Sequence, residues 1–218
     1  MLVGAGNRRH GSVRATLLVA ALTALAGCSQ AADDGTEAKA TASGSASATA
    51  TAAGTSDRSA RSARSGGSIG AAGSPCELPV TFDIAEDWTA EAVAEPPRQG
   101  PVALACEVDA KPAGHIGFLR VWTGAPGADD ARTVLKAFMA AEAGATKARY
   151  SAFKAGALTG AEVEYLYKTE FEDTPKKERA LAVTTPGGPV VVHLGGLDTG
   201  EHEAMLPAYE LAKRTLKA

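Results

Sequence analysis

The chain reads as an α+β protein: one antiparallel β-sheet with two main helices packed against it. Three observations lead there. Apolar residues alternate with period two in short runs after residue 76, two longer runs repeat apolar residues at helical spacing, and the later strands are joined by turns of a few residues. Connections that short permit antiparallel pairing and exclude the crossover that a parallel pair needs. All three signals fall within residues 76–218, a length that suits one ordinary domain with a sizeable core.

Val80-Thr81-Phe82-Asp83-Ile84 alternates and predicts the first strand. Trp88 follows, and Pro96-Pro97 and Gly100-Pro101 mark a loop. Val102–Val108, which contains Cys106, predicts a second strand, and His115–Thr123 a third, with Ile116, Phe118 and Trp122 on one period. Pro126-Gly127 breaks the chain. Asp129 and Asp130 suit the positive end of a starting helix, and Ala131, Val134, Leu135, Phe138 and Met139 recur at its spacing until Gly144 offers a stop. Strands resume with Arg149–Lys154. Ala161–Phe171 is longer, with Val163, Tyr165, Tyr167 and Phe171 on one face and Glu162, Glu164, Lys168 and Glu170 mainly on the other, the pattern of a half-buried strand. Asp173-Thr174-Pro175 turns the chain into Arg179–Thr184, and Pro186-Gly187-Gly188 turns it again into Val190–Leu194. A final helix over residues 201–216 puts Met205, Tyr209, Ala212 and Leu216 on one stripe, with Asp198 or Thr199 to cap it.

Ahead of this domain the sequence changes character. Arg8, Arg9, His10 and Arg14 precede an apolar run from Ala15 to Ala24, too short to span a bilayer as a permanent helix. Leu25-Ala26-Gly27-Cys28 closes it. The tetrapeptide resembles the bacterial lipobox, and the resemblance implies that residues 1–27 are a lipoprotein signal peptide cut before Cys28, with the Cys28 thiol carrying a diacylglyceryl group. A thiolate is the one side chain nucleophilic enough to take the lipid as a thioether, and each buried CH₂ adds about 0.8 kcal/mol of membrane affinity. Arg8-Arg9 also fits twin-arginine export, but Asn7 and His10-Gly11 flank it badly. Residues 28–75 read as the lipidated cysteine and an Ala/Ser/Thr/Gly-rich tether whose one large apolar side chain is Ile69. Such a composition buries little surface and predicts a flexible coil with an r.m.s. span of roughly 40 Å.

Three cysteines occur in all. With Cys28 lipidated, Cys76 and Cys106 remain as an even pair in an exported chain, which reads as a disulfide. Two buried free thiols suit a cytosolic domain better, and two cysteines without a histidine pair make only half a zinc site. A formal net charge of −3 gives no electrostatic reason to bind nucleic acid or anionic lipid.

The opening Phe82-x-Ile84-x-x-x-Trp88, the helix around Ala131–Met139 and the closing Val190–Leu194 strand with its following helix resemble the PsbP-like fold of actinobacterial lipoproteins of the LpqN/LpqT type. The resemblance covers residues 76–218. It implies a non-enzymatic accessory domain of the envelope and supplies no catalytic residues.

Several motifs invite chemistry and do not sustain it. Asp198-Thr199-Gly200 matches the aspartic-protease triplet, but that mechanism needs two facing copies, and here the triplet precedes a helix it can cap. Ser151-x-x-Lys154 matches a penicillin-recognising element, but it lies on a predicted strand and lacks the partner motifs. His202-Glu203 begins like a zincin helix, yet position 206 is Leu. His193 sits in an apolar strand and reads as a hydrogen-bonded sheet residue, His115 as a strand start, and Trp88 and Trp122 as core before groove. No catalytic, cofactor-binding or metal-ligating residue is assigned, and no cofactor. The expected function is a lipid-anchored envelope protein on the outer face of the cytoplasmic membrane. Its partners are the membrane, through the lipid, and an envelope protein, glycan or lipid ligand. A hydrolase whose site forms only in three dimensions is the alternative, and its mark is a cleft holding His193 or His202 beside a carboxylate with no structural explanation. A structural spacer is the third reading.

Overall fold

The computed structural model describes residues 63–218. The expected signal peptide, Cys28 and residues 29–62 of the expected tether lie outside the described residues. Two short strands, β1 (Ser65–Ile69) and β2 (Phe82–Ala85), pair antiparallel. The main sheet contains β3 (Thr89–Ala92), β4 (Arg98–Gln99), β5 (Val102–Asp109), β6 (Gly117–Thr123), β7 (Ala145–Ala155), β8 (Leu158–Tyr167), β9 (Lys176–Thr185) and β10 (Gly188–Gly196). Its order is β3-β5-β6-β10-β9-β8-β7, with β4 also on β5, and every pairing is antiparallel. Helix α1 (Ala131–Ala140) packs on one face. Helix α2 (Thr199–Thr215) packs on the other face together with the β1–β2 pair. This is the α+β architecture expected from the sequence.

The caps fall where the aspartates predict. Asp130 Oδ1 accepts from the Thr133 amide at 2.7 Å, and Asp198 Oδ1 from the Glu201 amide at 2.8 Å. Both satisfy an otherwise orphaned N–H of a first turn. Residues 190–194 are buried on both faces because β10 runs through the middle of the sheet between two helix-bearing layers. Val190, Val192 and Leu194 enter the α2-side core, and Val191 the α1-side core around Phe138 and Leu135. Each large side chain so buried contributes roughly 1.5–3 kcal/mol.

Four expectations about boundaries are corrected. First, the folded domain begins before residue 76, because β1 lies within the stretch read as tether. Glycine content, taken there as a sign of flexibility, instead allows backbones to approach: a Cβ on Gly66 would stand 2.8 Å from the Ala85 carbonyl oxygen. Gly70 adopts φ +104°, where side chains are strained, and Ile69, 2% exposed, anchors the strand in the core. Second, the short strands β3 and β4 cover the outer edge of β5, where the sequence shows only loop signals. Third, β8 stops at Tyr167, so Phe171 is not on a core face but is 89% exposed. Fourth, α1 ends at Ala140, with Ala141 as its C-cap, rather than at Gly144, and β6 starts at Gly117, after His115.

Cys76 and Cys106 are bridged, with Cα atoms 5.9 Å apart, and stand 30 positions apart in sequence. Cys76 is 1% exposed and Cys106 fully buried, so the bridge ties the entry to the domain into the α2-side core. Closing a ring of that size in the unfolded chain is worth about 3.5 kcal/mol in the chain-entropy picture.

Candidate functional site

Helix α1 roofs only part of its face of the sheet. Beyond its C-terminal end lies a cleft of about 420 Å³, walled by Gln99, Glu142, Trp122 and Tyr167 and floored by strands β5, β6, β10 and β9. Register assembles the floor. Glu107 on β5 faces Arg120 on β6, and Arg120 faces His193 on β10. One step along, Tyr165 on β8 faces Glu178 on β9. Two-residue periodicity sends all five toward the same side as α1. Gly195 leaves the floor open: a Cβ there would lie 3.5 Å from His193 Cε1, 3.7 Å from Glu178 Oε1 and 3.8 Å from Arg120 Nη1.

Three of these groups form a buried hydrogen-bonded cluster. Tyr165 Oη lies 2.9 Å from Glu178 Oε2 and 2.9 Å from His193 Nε2, and His193 Nε2 lies 2.9 Å from the same carboxylate oxygen. Lys176 Nζ stands 3.6 Å from Glu178 Oε1 and donates to the Gly196 carbonyl at 2.9 Å. Burial alone raises the Glu178 carboxyl, but the hydrogen bonds and charge of His193, the Tyr165 hydroxyl and Lys176 outweigh it and hold it below its ordinary value. Glu178 is therefore an anion, and the Tyr165 O–H and His193 Nε2–H are its donors. Burial, then the charge of Glu178, pushes the Tyr165 phenol up, so it stays protonated. The other cleft groups also pair: Arg120 Nε donates to Glu107 Oε1 at 2.7 Å, and Gln99 Nε2 to Glu142 Oε2 at 2.9 Å. Trp122 packs edge-on to Phe138 at 5.5 Å, and its Nε1 is buried without a hydrogen-bond partner.

The structure thus brings His193 beside a carboxylate in a cleft, the juxtaposition named as the mark of the enzymatic alternative, and also makes it the hydrogen-bonded sheet residue expected from its strand. Trp122 is likewise both core and cleft wall. Trp88 is buried in the α2-side core. His115 sits before β6, 3.3 Å from Glu201. Ser151 and Lys154 lie on β7, a strand as expected. His202 is on α2, with its Nδ1 buried and unpartnered. Cys28 lies outside the described residues. Among the described residues, no group of three His, Cys, Asp or Glu is placed to hold a metal ion, and no helix is long and apolar enough to cross a membrane.

Sequence reading missed Glu178, Glu107, Arg120, Tyr165, Gln99 and Glu142 as site residues. One signal was available. Glu178 shares its phase on β9 with Ala180 and Ala182, which are fully buried, so its carboxylate occupies an inward position. A charge at a buried phase of a strand needs partners, and that need points to a polar cluster.

A family model described as an uncharacterised lipoprotein matches residues 46–216. No curated protein matches the chain. Among solved structures, the solution structure of cyanobacterial PsbP (CyanoP) from Synechocystis sp. PCC 6803 is similar at 14% identity, covering 70% of this chain and 98% of that one with a TM-score of 0.48.

Proposed function

The chain belongs to this family of uncharacterised lipoproteins, and on that premise we propose that it is a lipid-anchored envelope protein whose domain binds a ligand in the α1-face cleft without transforming it. Lipid on Cys28 would hold it at the outer face of the cytoplasmic membrane. The observation that carries the binding reading is the pairing inside the cleft. His193 Nε2 and Glu178 face each other and Tyr165 instead of a vacant reaction position. Arg120 is matched by Glu107, and Glu142 by Gln99. Such a lining presents nearly balanced charge, fixed donors and acceptors, and the aromatic surfaces of Trp122 and Tyr167. That set suits an uncharged, hydroxyl-rich ligand, and among envelope components a glycan has that chemistry.

The test is a titration of the full chain with fragments of the wall glycan, followed by Trp fluorescence and calorimetry. Gly195→Val fills the floor with a side chain whose Cβ has ordinary contact room, so it should stay folded and weaken binding by about tenfold or more. Unchanged affinity in Gly195→Val would remove the cleft from the function. The hydrolase reading draws on the His193–Glu178 pair and makes a different prediction. Product release from the same fragments, lost in His193→Gln, would replace binding by catalysis.

A further inference from the structure

The opposite face of the sheet holds a second, smaller pocket of about 280 Å³ beside the first half of α2. Its lining sets four cations, Lys147 and Arg149 from β7 and Lys177 and Arg179 from β9, against three carboxylates, Glu164, Glu178 and Glu203, with His202 of α2 beside them. In the cleft the excess has the other sign, with Glu107, Glu142 and Glu178 against Arg120 and Lys176. Lys177 is paired with Glu203 at 2.6 Å, and Arg179 with Glu164 and, at 3.1 Å, with Glu210. Among the described residues, no ion pair engages Lys147 or Arg149, so both cations stand unpaired at the rim.

Two further facts point to an acceptor-rich occupant. Of the three buried side-chain polar atoms without a hydrogen-bond partner among the described residues, two belong to residues of this pocket: Arg179 Nε and His202 Nδ1. Arg179 Nε is always a donor, and His202 Nδ1 can be one. His202 is 3% exposed, so its ring is held in place by the fold and not by solvent. The rim is also shaped by a backbone irregularity. The β7–β8 register slips between Thr146 and Arg149, and Lys147 adopts φ +54°, a left-handed conformation that lysine rarely takes. Bulges of this kind re-aim side chains and recur at binding sites.

We infer that this pocket is a second binding site, on the other face of the sheet from the cleft although Glu178 borders both, and that it takes a phosphate group, either as a free anion or as the phosphodiester of a headgroup. Donors reach the pocket from three elements, β7, β9 and α2, so they approach from several directions. A tetrahedral phosphate offers oxygens to each of them, whereas a planar carboxylate is satisfied by one fork. The Arg149 guanidinium and Lys147 ammonium hold the anion at the rim, and the inner donors orient it. Lys177 stays in its ion pair with Glu203, and Arg179 in those with Glu164 and Glu210. Nothing in this argument depends on what the cleft binds.

The experiment titrates the purified full chain with inorganic phosphate, with dihexanoyl-phosphatidylglycerol and with acetate, reading heat and the ring resonances of His202. Saturable binding of phosphate or of the phospholipid that moves the His202 ring supports the site. Phosphate alone identifies a free anion, and the phospholipid alone identifies a headgroup. The double variant Lys147→Gln/Arg149→Gln, both positions exposed on an edge strand, should keep the melting temperature and weaken binding at least about tenfold. Raised salt should weaken it too. Three results overturn the proposal: no saturation with either phosphate probe, acetate binding as tight as phosphate, or an affinity untouched by the double variant. Gly195→Val separates this site from the cleft, since it should leave phosphate binding intact.

Discussion

Two buried histidines stand on opposite faces of one sheet and have opposite surroundings. His193 on β10 faces α1 and shares its Nε2 with Glu178 and Tyr165. His202 on α2 is buried at least as deeply, yet its Nδ1 has no partner and no carboxylate lies in hydrogen-bond reach of it. Burial, then the charge of Arg179, pushes the His202 ring down to about 4. The contrast shows that depth alone does not decide what a buried polar group does. A partner converts burial into a rigid cluster, and its absence leaves a group that is neutral at physiological pH and open to an outside acceptor.

The largest expected effect comes from breaking the partnered side. Glu178→Ala strands the Tyr165 hydroxyl and the His193 ring in the floor of the cleft and removes the anion they were built around. It should cost roughly 3 kcal/mol of unfolding free energy, read as a lower denaturant midpoint with unchanged slope. A loss below about 0.5 kcal/mol would mean that the three groups are not coupled in solution.

The unpartnered side should show itself through pH. The folded pKa of His202 lies below its ordinary value of 6.5, so the neutral ring contributes stability that is fully present above about pH 6.5 and is lost as the pH falls through about 4. The loss amounts to at most roughly 3 kcal/mol. Glu178 is also depressed, but its contribution is present above its ordinary value of 4.5 and disappears only below that. The window from pH 6.5 to 4.5 lies above the range where the Glu178 contribution is lost, and the difference between wild type and His202→Gln across it reads His202. Melting temperatures of wild type should fall across it, and those of His202→Gln should stay nearly flat. Equal slopes would assign the acid lability to another group.

The smallest effect tests one edge of the cluster. Tyr165→Phe keeps the ring, which stacks on His193 at 6.2 Å, and removes one hydrogen bond while Glu178 retains His193 and Lys176. A loss of about 1 kcal/mol is expected. A loss as large as that of Glu178→Ala would make the hydroxyl, and not the carboxylate, the centre of the cluster.

Much of the architecture was open to reading because its signals are local. The helix caps Asp130 and Asp198 lie within three residues of the amides they accept from. Strand phases follow a two-residue alternation, and the β9–β10 turn is marked by Pro186-Gly187. The Cys76–Cys106 pair follows from the cysteine count and from the expectation of export. Misreadings arose where one composition serves two ends. The glycines of residues 63–75 look like a tether, but at Gly66 the missing side chain lets one backbone lie against another.

The sequence by itself determined the α+β class, the two helices, the antiparallel order of the later strands and the pairing of two cysteines. Only the tertiary structure decided which polar residues meet. Tyr165 and His193 are 28 positions apart, Glu178 and His193 15, and Tyr209 and Glu162 47. No local propensity encodes such contacts. They depend on the register of strands separated in sequence and on which face each helix covers. The same long-range packing gave one buried histidine a carboxylate partner and left the other without one, because the burial of a strand or helix stripe is set by its apolar residues, and the polar residues among them take whatever neighbours that packing provides.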